Sequence, residues 1–407
     1  MSGRARVPVD PDLALAKRHA PVVWFDDAEP FLPQAVGYAV IRQPTHSPTF
    51  ERYLHLAVPG GRTATAVVEY ALWTDWDIQH LYELEHVWSY VDDAGRLLHA
   101  EASWHGEWAP LLQAGRLSAE DERPVAWAQP GKHAMAPDPR AFTGVDAYRL
   151  LVAQEARPPA RDGLLIGEPA RGRLRRTARA DALARAYLHT RAFEPTFRFG
   201  RRWDARDAPF EPAERLIEGI PARIRAVLRR LAAERRRRRV WAVLFDLGDT
   251  LMLETSEEKD ATETTQRADL FDGASALLWS LKRQGYLVGL VADTRPGTAR
   301  NVLRQHGIED AFDVLAISET LGTEKPDPRM FRHALRALGL RDAEAGHVAM
   351  VGNRVERDVR GANALGLISV LMRHNDRYPA TPSGVEEEPQ HTVRSLAELG
   401  ELLRTLG

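Results

Sequence analysis

The chain of 407 residues contains no cysteine. That absence excludes disulfides, thiolate zinc sites, iron–sulfur clusters and a thiol nucleophile. It also lacks any run of about 18 apolar residues, so no membrane span is expected. The opening stretch MSGRARVPVDPDLALAKRHA has no apolar core of about 7–15 residues of the kind a secretory signal needs, and the expected location is cytoplasmic. Internal repeats and Gly/Ser-rich or Pro-rich linkers are missing too. Net charge is nearly absent, at −2. What is present is 44% apolar residues, enough to bury cores and to exclude global disorder. At roughly 150 residues per domain the length predicts two to three domains.

The near-neutral total conceals three unlike parts. Residues 1–150 carry 13 Lys/Arg against 20 Asp/Glu, residues 151–240 carry 23 against 11, and residues 241–407 carry 19 against 26. The basic middle ends in five arginines, Arg235 to Arg239. A stretch this basic can follow a phosphate backbone. Aromatic residues scarcely interleave with the arginines, which counts against nucleic acid. The favoured expectation is a helix, ARIRAVLRRLAAERRRRR, with Ile224, Val227, Leu228 and Leu231 on one face and arginines that are solvated or ion-paired. Helical spacing is also expected in AYRLLVAQEA (147–156) and ADALARAYLHT (180–190).

From Val240 the pattern alternates. The apolar runs 240–245, 286–292, 314–318, 347–352 and 367–372 predict buried strands, and 274–285, 296–307, 328–339, 357–366 and 395–406 predict helices. Such alternation implies a Rossmann-like parallel sheet covered on both faces, with ligands at the carboxyl ends of its strands. Those ends read FDLGDTL, ADTR, GTEKPDP and VGN, with Asp358 five residues after Asn353. Carboxylates and one lysine converging there suit an oxygen-ligated cation beside an anionic substrate. A carboxylate can attack phosphorus once the repulsion of the phosphoryl oxygens is neutralised.

FDLGDTL, KPDP with Phe331 close behind, and VGNRVERDVRGANALG, in that order, resemble the haloacid dehalogenase-like (HAD) hydrolase superfamily over residues 240–407. The resemblance implies that Asp246 is the nucleophile and a Mg²⁺ ligand. The Gly248 carbonyl, Asn353 and Asp358 would complete the metal site. Lys325 would hold the charge of nucleophile and phosphate, with Asp293 and Thr294 beside the phosphate. Three positions depart from the family pattern. Gly248 stands where the family usually has its acid/base Asp, Ala292 where it offers Ser or Thr, and Asn353 where it has an acid. Asp249 or Asp293 would then replace the acid/base, and for Asp249 the commoner role of an Asp after a strand is a turn or cap. The family's cap domain has no room: about 20 residues follow Leu251 before the next helix and about 30 separate Asp293 from Lys325. The acidic stretch LETSEEKDATETTQRADL can form a short helix or flap at most, so the expectation is either a large phosphorylated substrate or a cover supplied by the N-terminal part.

Residues 1–150 read as an antiparallel β-rich, sandwich-like domain followed by a basic helical extension, 151–239. TATAVVEYALW, HVWSYVD, LLHAEASW and PVAWAQP are strand-like, and Asp92-Asp93-Ala94-Gly95 is a turn. Six tryptophans lie between Trp73 and Trp127, and five histidines between His80 and His133. Within DWDIQHLYELEH, residues Asp77, His80, Glu83 and Glu85, with His105 and His133 from neighbouring strands, could ring a second divalent cation. A buried polar network beneath the tryptophans is the competing expectation. ELEHVWSYVDDAG, AEASWHG and RPVAWAQPGKHA are similar in order to necrosis-inducing-protein-like and vacuolar-sorting-related β-sandwich domains, which implies a cation site on a sandwich. Three functions therefore stand: a Mg²⁺-dependent phosphatase, a binding or regulatory protein with a degenerate hydrolase-like half, and metal or ligand binding by the N-terminal cluster.

Overall fold

The computed structural model describes residues 10–146, 149–150 and 162–407. The helix expected over AYRLLVAQEA falls almost wholly outside the described residues. The chain divides into two compact units, one of Met1–Arg175 with Arg191–Val227, the other of Arg176–Thr190 with Leu228–Gly407. The described residues of 162–239 fall partly in each unit. No helix among the described residues is long and apolar enough to cross a membrane.

The first unit is β-rich, and its sheets are mixed rather than purely antiparallel. Its seven-stranded sheet runs Glu107–Pro110, Leu97–Trp104, His80–Val91, Ala66–Trp76, Ala35–Ile41 and Phe210–Pro212, with Gly163–Leu164 beside His80–Val91. A five-stranded sheet has Val22–Phe25 parallel to Arg123–Ala128 and antiparallel to Arg201–Asp204. Phe210–Pro212 and Gly163–Leu164 also pair in parallel. Late segments thus return to strands laid down early, which no local alternation of apolar residues announces. Both sheets feed one core, with Val23 and Phe25 from one and Tyr70, Leu72 and Val87 from the other. The expected turn is present, with Gly95 at φ +70° and the Asp92 carboxylate accepting the Arg96 N–H.

The second unit carries a six-stranded sheet ordered Val314–Ile317, Leu287–Ala292, Ala242–Phe245, Val348–Gly352, Ile368–Met372 and His391–Val393, every pair parallel. Ala242–Phe245 is fully buried because it has a strand on either side and helices over both faces, which explains its unbroken apolar run. The sixth strand, HTV, is too short and polar to stand out in the sequence. Helix starts follow ordinary capping chemistry: Asp327 accepts the Arg329 N–H ahead of Pro328–Ala337, and Ser395 accepts the Glu398 N–H ahead of Leu396–Leu406. Helix Ala178–His189 belongs here, with Ala182 and Ala186 in the core beside Trp241 and Leu287.

The basic helix extends over Ala213–Arg236, with Ile224, Val227 and Leu231 buried and Leu228 half-buried as the spacing predicts. Arg235 turns inward over the Trp241 ring, and burial beside Arg179 lowers its pKa to about 10. Arg238 donates to the Gln284 carbonyl. The arginine run is thus partly spent on internal contacts.

Candidate active site

Strand order places the carboxyl ends of Ala242–Phe245, Leu287–Ala292 and Val348–Gly352 side by side, on both flanks of the leading strand. A polar cavity of about 250 Å³ lies there, lined by Asp246, Gly248, Asp293, Thr294, Lys325 and Asn353 among others. At its floor the Lys325 ammonium donates to Asp246 Oδ1 at 2.5 Å and to Asp358 Oδ1 at 2.6 Å. Lys325 is almost fully buried. Burial works against its charged form, but Asp246, Asp358 and Asp293 outweigh that and raise its pKa, so the ammonium stays charged. Asp358 is held well above the usual carboxylate range, first by burial and then by the Asp246 charge, while Lys325 pulls the other way.

A π-helical turn, Val355–Val359, aims Asp358 at this lysine. Its second oxygen accepts the Arg354 N–H at 3.0 Å. Gly352 makes the approach feasible, since a Cβ there would lie 2.2 Å from Asp358 Cγ. Asp358 accepts from the Lys325 ammonium with one oxygen and from the Arg354 N–H with the other. Asp246, Gly248 and Asn353 line the cavity, and carboxylate, carbonyl and amide oxygens are the donors that suit a hard cation such as Mg²⁺.

Asp293 and Thr294 line the cavity. Asp293 Oδ1 accepts the Lys325 backbone N–H at 2.9 Å and its Oδ2 accepts from Arg357 at 2.9 Å. A carboxylate so used positions cations. Asp249 lies apart from the cavity lining. It is buried at φ +45°, accepts the Glu254 N–H at 3.1 Å, lies 3.5 Å from Arg377, and lines a separate small recess. Its backbone N–H donates to the Met252 carbonyl, so residue 249 is tied into its own loop.

The cavity also draws in residues that sequence reasoning passed over: Glu254, Glu257 and Lys259 from the acidic flap, Arg354 and Arg357 beside the fourth strand, and Tyr378. The flap is a 3₁₀ turn at Glu254–Ser256 and a small hairpin of Glu258–Lys259 with Thr265–Arg267, too short for a cap domain. The acidic composition of that stretch was the available signal; nothing in it identified which carboxylate faces inward.

In the first unit, Asp77, His80 and Glu83 do converge, one ligand atom from each within 4.8 Å of the others. Lys132 already donates to Asp77, and His133 Nε2 lies 3.2 Å from Glu29. Burial and mutual repulsion raise the pKa of Glu83, while burial lowers that of His80. Glu85 stands close enough to be raised as well, chiefly by burial, and bonds Ser103. His105 is not part of this group: it sits exposed at φ +49° on the turn after Trp104. Lys132 thus places an ammonium within this cluster.

Fold and site together define a class, a Rossmann-like α/β domain with an acidic, lysine-bearing pocket at the carboxyl ends of its strands. Residues 205–366 match the family model described as haloacid dehalogenase-like hydrolase, and this segment belongs to that superfamily. The chain is similar to a glyceraldehyde 3-phosphate phosphatase of Methanopyrus kandleri, 32% identical over 129 residues that make up 32% of this chain and 54% of that protein. It is 35% identical to a phosphoserine phosphatase of Thermus thermophilus over 134 residues, 33% of this chain and 51% of that protein. The chain spans about half the length of the curated relatives it matches. Among solved structures, that of a HAD phosphatase from Thermococcus onnurineus aligns over 40% of this chain and 98% of its own, at 19% identity and a TM-score of 0.34.

Proposed function

We propose that the second unit is a Mg²⁺-dependent phosphomonoesterase that works through an aspartyl-phosphate on Asp246. The observation that carries this reading is the buried Lys325 ammonium in contact with Asp246 at the floor of the strand-end cavity. Such an ammonium holds the Asp246 carboxylate in place and offsets the negative charge of an approaching phosphoryl group. Arg354 and Arg357 line the same cavity and supply further positive charge for a phosphate monoester. Asp293 and Asp358 support the reading as positioning residues that hold the Lys325 backbone and ammonium. Asp246, the Gly248 carbonyl and Asn353 would hold Mg²⁺. When bound, the ion would screen the phosphoryl oxygens from the attacking carboxylate. The phosphatase names borne by the relatives agree with this substrate class, and a flap in place of a cap leaves room for a large phosphorylated substrate.

A second reading, a domain that binds phosphorylated ligands without turning them over, draws on the missing carboxylate at Gly248 and the neutral Asn353. One assay separates the two. Hydrolysis of an aryl phosphate by the full chain with Mg²⁺ is expected, with loss in Asp246→Asn, in Lys325→Ala and on chelation. Equal rates for the wild type and Asp246→Asn overturn the phosphatase reading.

A further inference from the structure

We propose that Glu254 is the acid/base group of this site, delivered from the flap into the space that Gly248 leaves empty. The inference rests on the phosphatase reading above and adds a residue to it. A Cβ built on Gly248 would lie 2.2 Å from Glu254 Oε1 and 3.0 Å from both Cγ and Cδ of Glu254. The Glu254 carboxyl group therefore occupies the volume that a side chain two positions after Asp246 would enter. Glycine at 248 is what admits it: any larger residue would push the glutamate out.

Three contacts hold Glu254 there. Its Oε2 accepts the Tyr378 hydroxyl at 2.7 Å and lies 3.3 Å from Arg377 Nη1. Its backbone N–H donates to Asp249 Oδ1. Asp249 thus acts as a positioning residue, anchoring the start of the flap. With Oε2 engaged by Tyr378 and Arg377, Oε1 is the oxygen beside Gly248, and the side chain lines the same cavity as Asp246 and Lys325.

The chemistry balances with one proton passing back and forth. In the first step an Asp246 oxygen forms a bond to phosphorus and the bond from phosphorus to the ester oxygen breaks. The departing alkoxide takes the proton of the Glu254 carboxylic acid. In the second step water attacks the phosphorus, Glu254 removes its proton, and the acyl-phosphate bond breaks. Asp246 returns as carboxylate, Glu254 is again protonated, and inorganic phosphate leaves. An acid/base group of this kind contributes about 10²–10⁴-fold.

The test uses the full-length protein with Mg²⁺ and two esters, p-nitrophenyl phosphate and a simple alkyl phosphate. The aryl leaving group needs no proton, so Glu254→Gln should release one burst equivalent of nitrophenol and then turn over about 10²–10⁴-fold more slowly than wild type. On the alkyl ester the same variant should show no burst. Gly248→Asp with Glu254→Ala, which supplies the carboxylate from the other side of the same space, should recover much of the lost rate. Wild-type-like turnover by Glu254→Gln on both esters, with Asp246→Asn inactive, overturns the assignment of Glu254 and leaves the phosphatase reading standing. If Asp246→Asn matches the wild type, the phosphatase reading falls and the Glu254 assignment with it.

Discussion

Replacing Lys325 by methionine removes an ammonium that touches two carboxylates. Its contacts with Asp246 and Asp358 are 2.5 and 2.6 Å long, so the two acceptor oxygens are at most about 5 Å apart. Two unit charges at about 5 Å repel by about 3 kcal/mol at an effective dielectric constant of about 20. Loss of one partner from a buried pair costs about 3–5 kcal/mol in other proteins, mostly through the charge left behind. Lys325→Met should therefore lower unfolding stability by about 3–4 kcal/mol at pH 8 with chelator present. The informative variant is the double one. Lys325→Met with Asp358→Asn removes one of the facing charges, and the amide oxygen can still accept the Arg354 N–H. It should be about 1–3 kcal/mol more stable than Lys325→Met alone. Urea unfolding followed by circular dichroism, with wild type and both single variants, closes the cycle. If the double variant is destabilised by the sum of the single effects, the electrostatic account of this triad is wrong.

Gly352→Ala should push Asp358 off Lys325, costing about 1–3 kcal/mol and most of the turnover, because the new Cβ would meet Asp358 Cγ at 2.2 Å; thermal unfolding and the aryl phosphate assay check both. Burial lowers the pKa of His189 to about 2 and of His86 to about 3. Both stay neutral in the folded chain and take up protons on unfolding below about pH 6.5, so their stability contribution is complete above that pH and is lost as pH falls towards 3. At pH 5.5 each should cost about 1–1.5 kcal/mol relative to pH 7.5, and His189→Met should flatten its share in denaturant titrations at the two pH values. Lys132→Met should destabilise the first unit by about 3–5 kcal/mol, since it leaves Asp77 buried without its ammonium partner. Unchanged urea midpoints would contradict that role for Lys132.

The second unit was largely legible because a parallel sheet writes itself as apolar runs separated by helices of 3.6-residue period. The run Val240–Phe245 fixed the leading strand, and the residues after it placed Asp246, Lys325 and Asn353 at one cavity. Legibility failed where position depends on contacts far along the chain. Asp249 lies next to the motif yet faces its own loop, whereas Glu254 enters the space of Gly248 because Tyr378 and Arg377, more than 100 residues on, hold its other oxygen. Asp358 and Asp293 were found, but their roles as supports for Lys325 follow from hydrogen bonds that spacing does not encode. In the first unit alternation identified strands but not partners. The parallel pairing of Val22–Phe25 with Arg123–Ala128 joins segments about 100 residues apart. His105 matched a spacing and sits on an exposed turn, because the hairpin closes one residue after Trp104.

The most direct test is to identify the group that receives the phosphoryl. A reaction of the full chain with p-nitrophenyl phosphate and Mg²⁺, quenched in acid and reduced with borohydride, converts an aspartyl-phosphate to homoserine. Peptide mapping should find homoserine at position 246 and nowhere else, with more of it in Glu254→Gln than in the wild type. Steady turnover with position 246 left as unmodified aspartate would contradict the account.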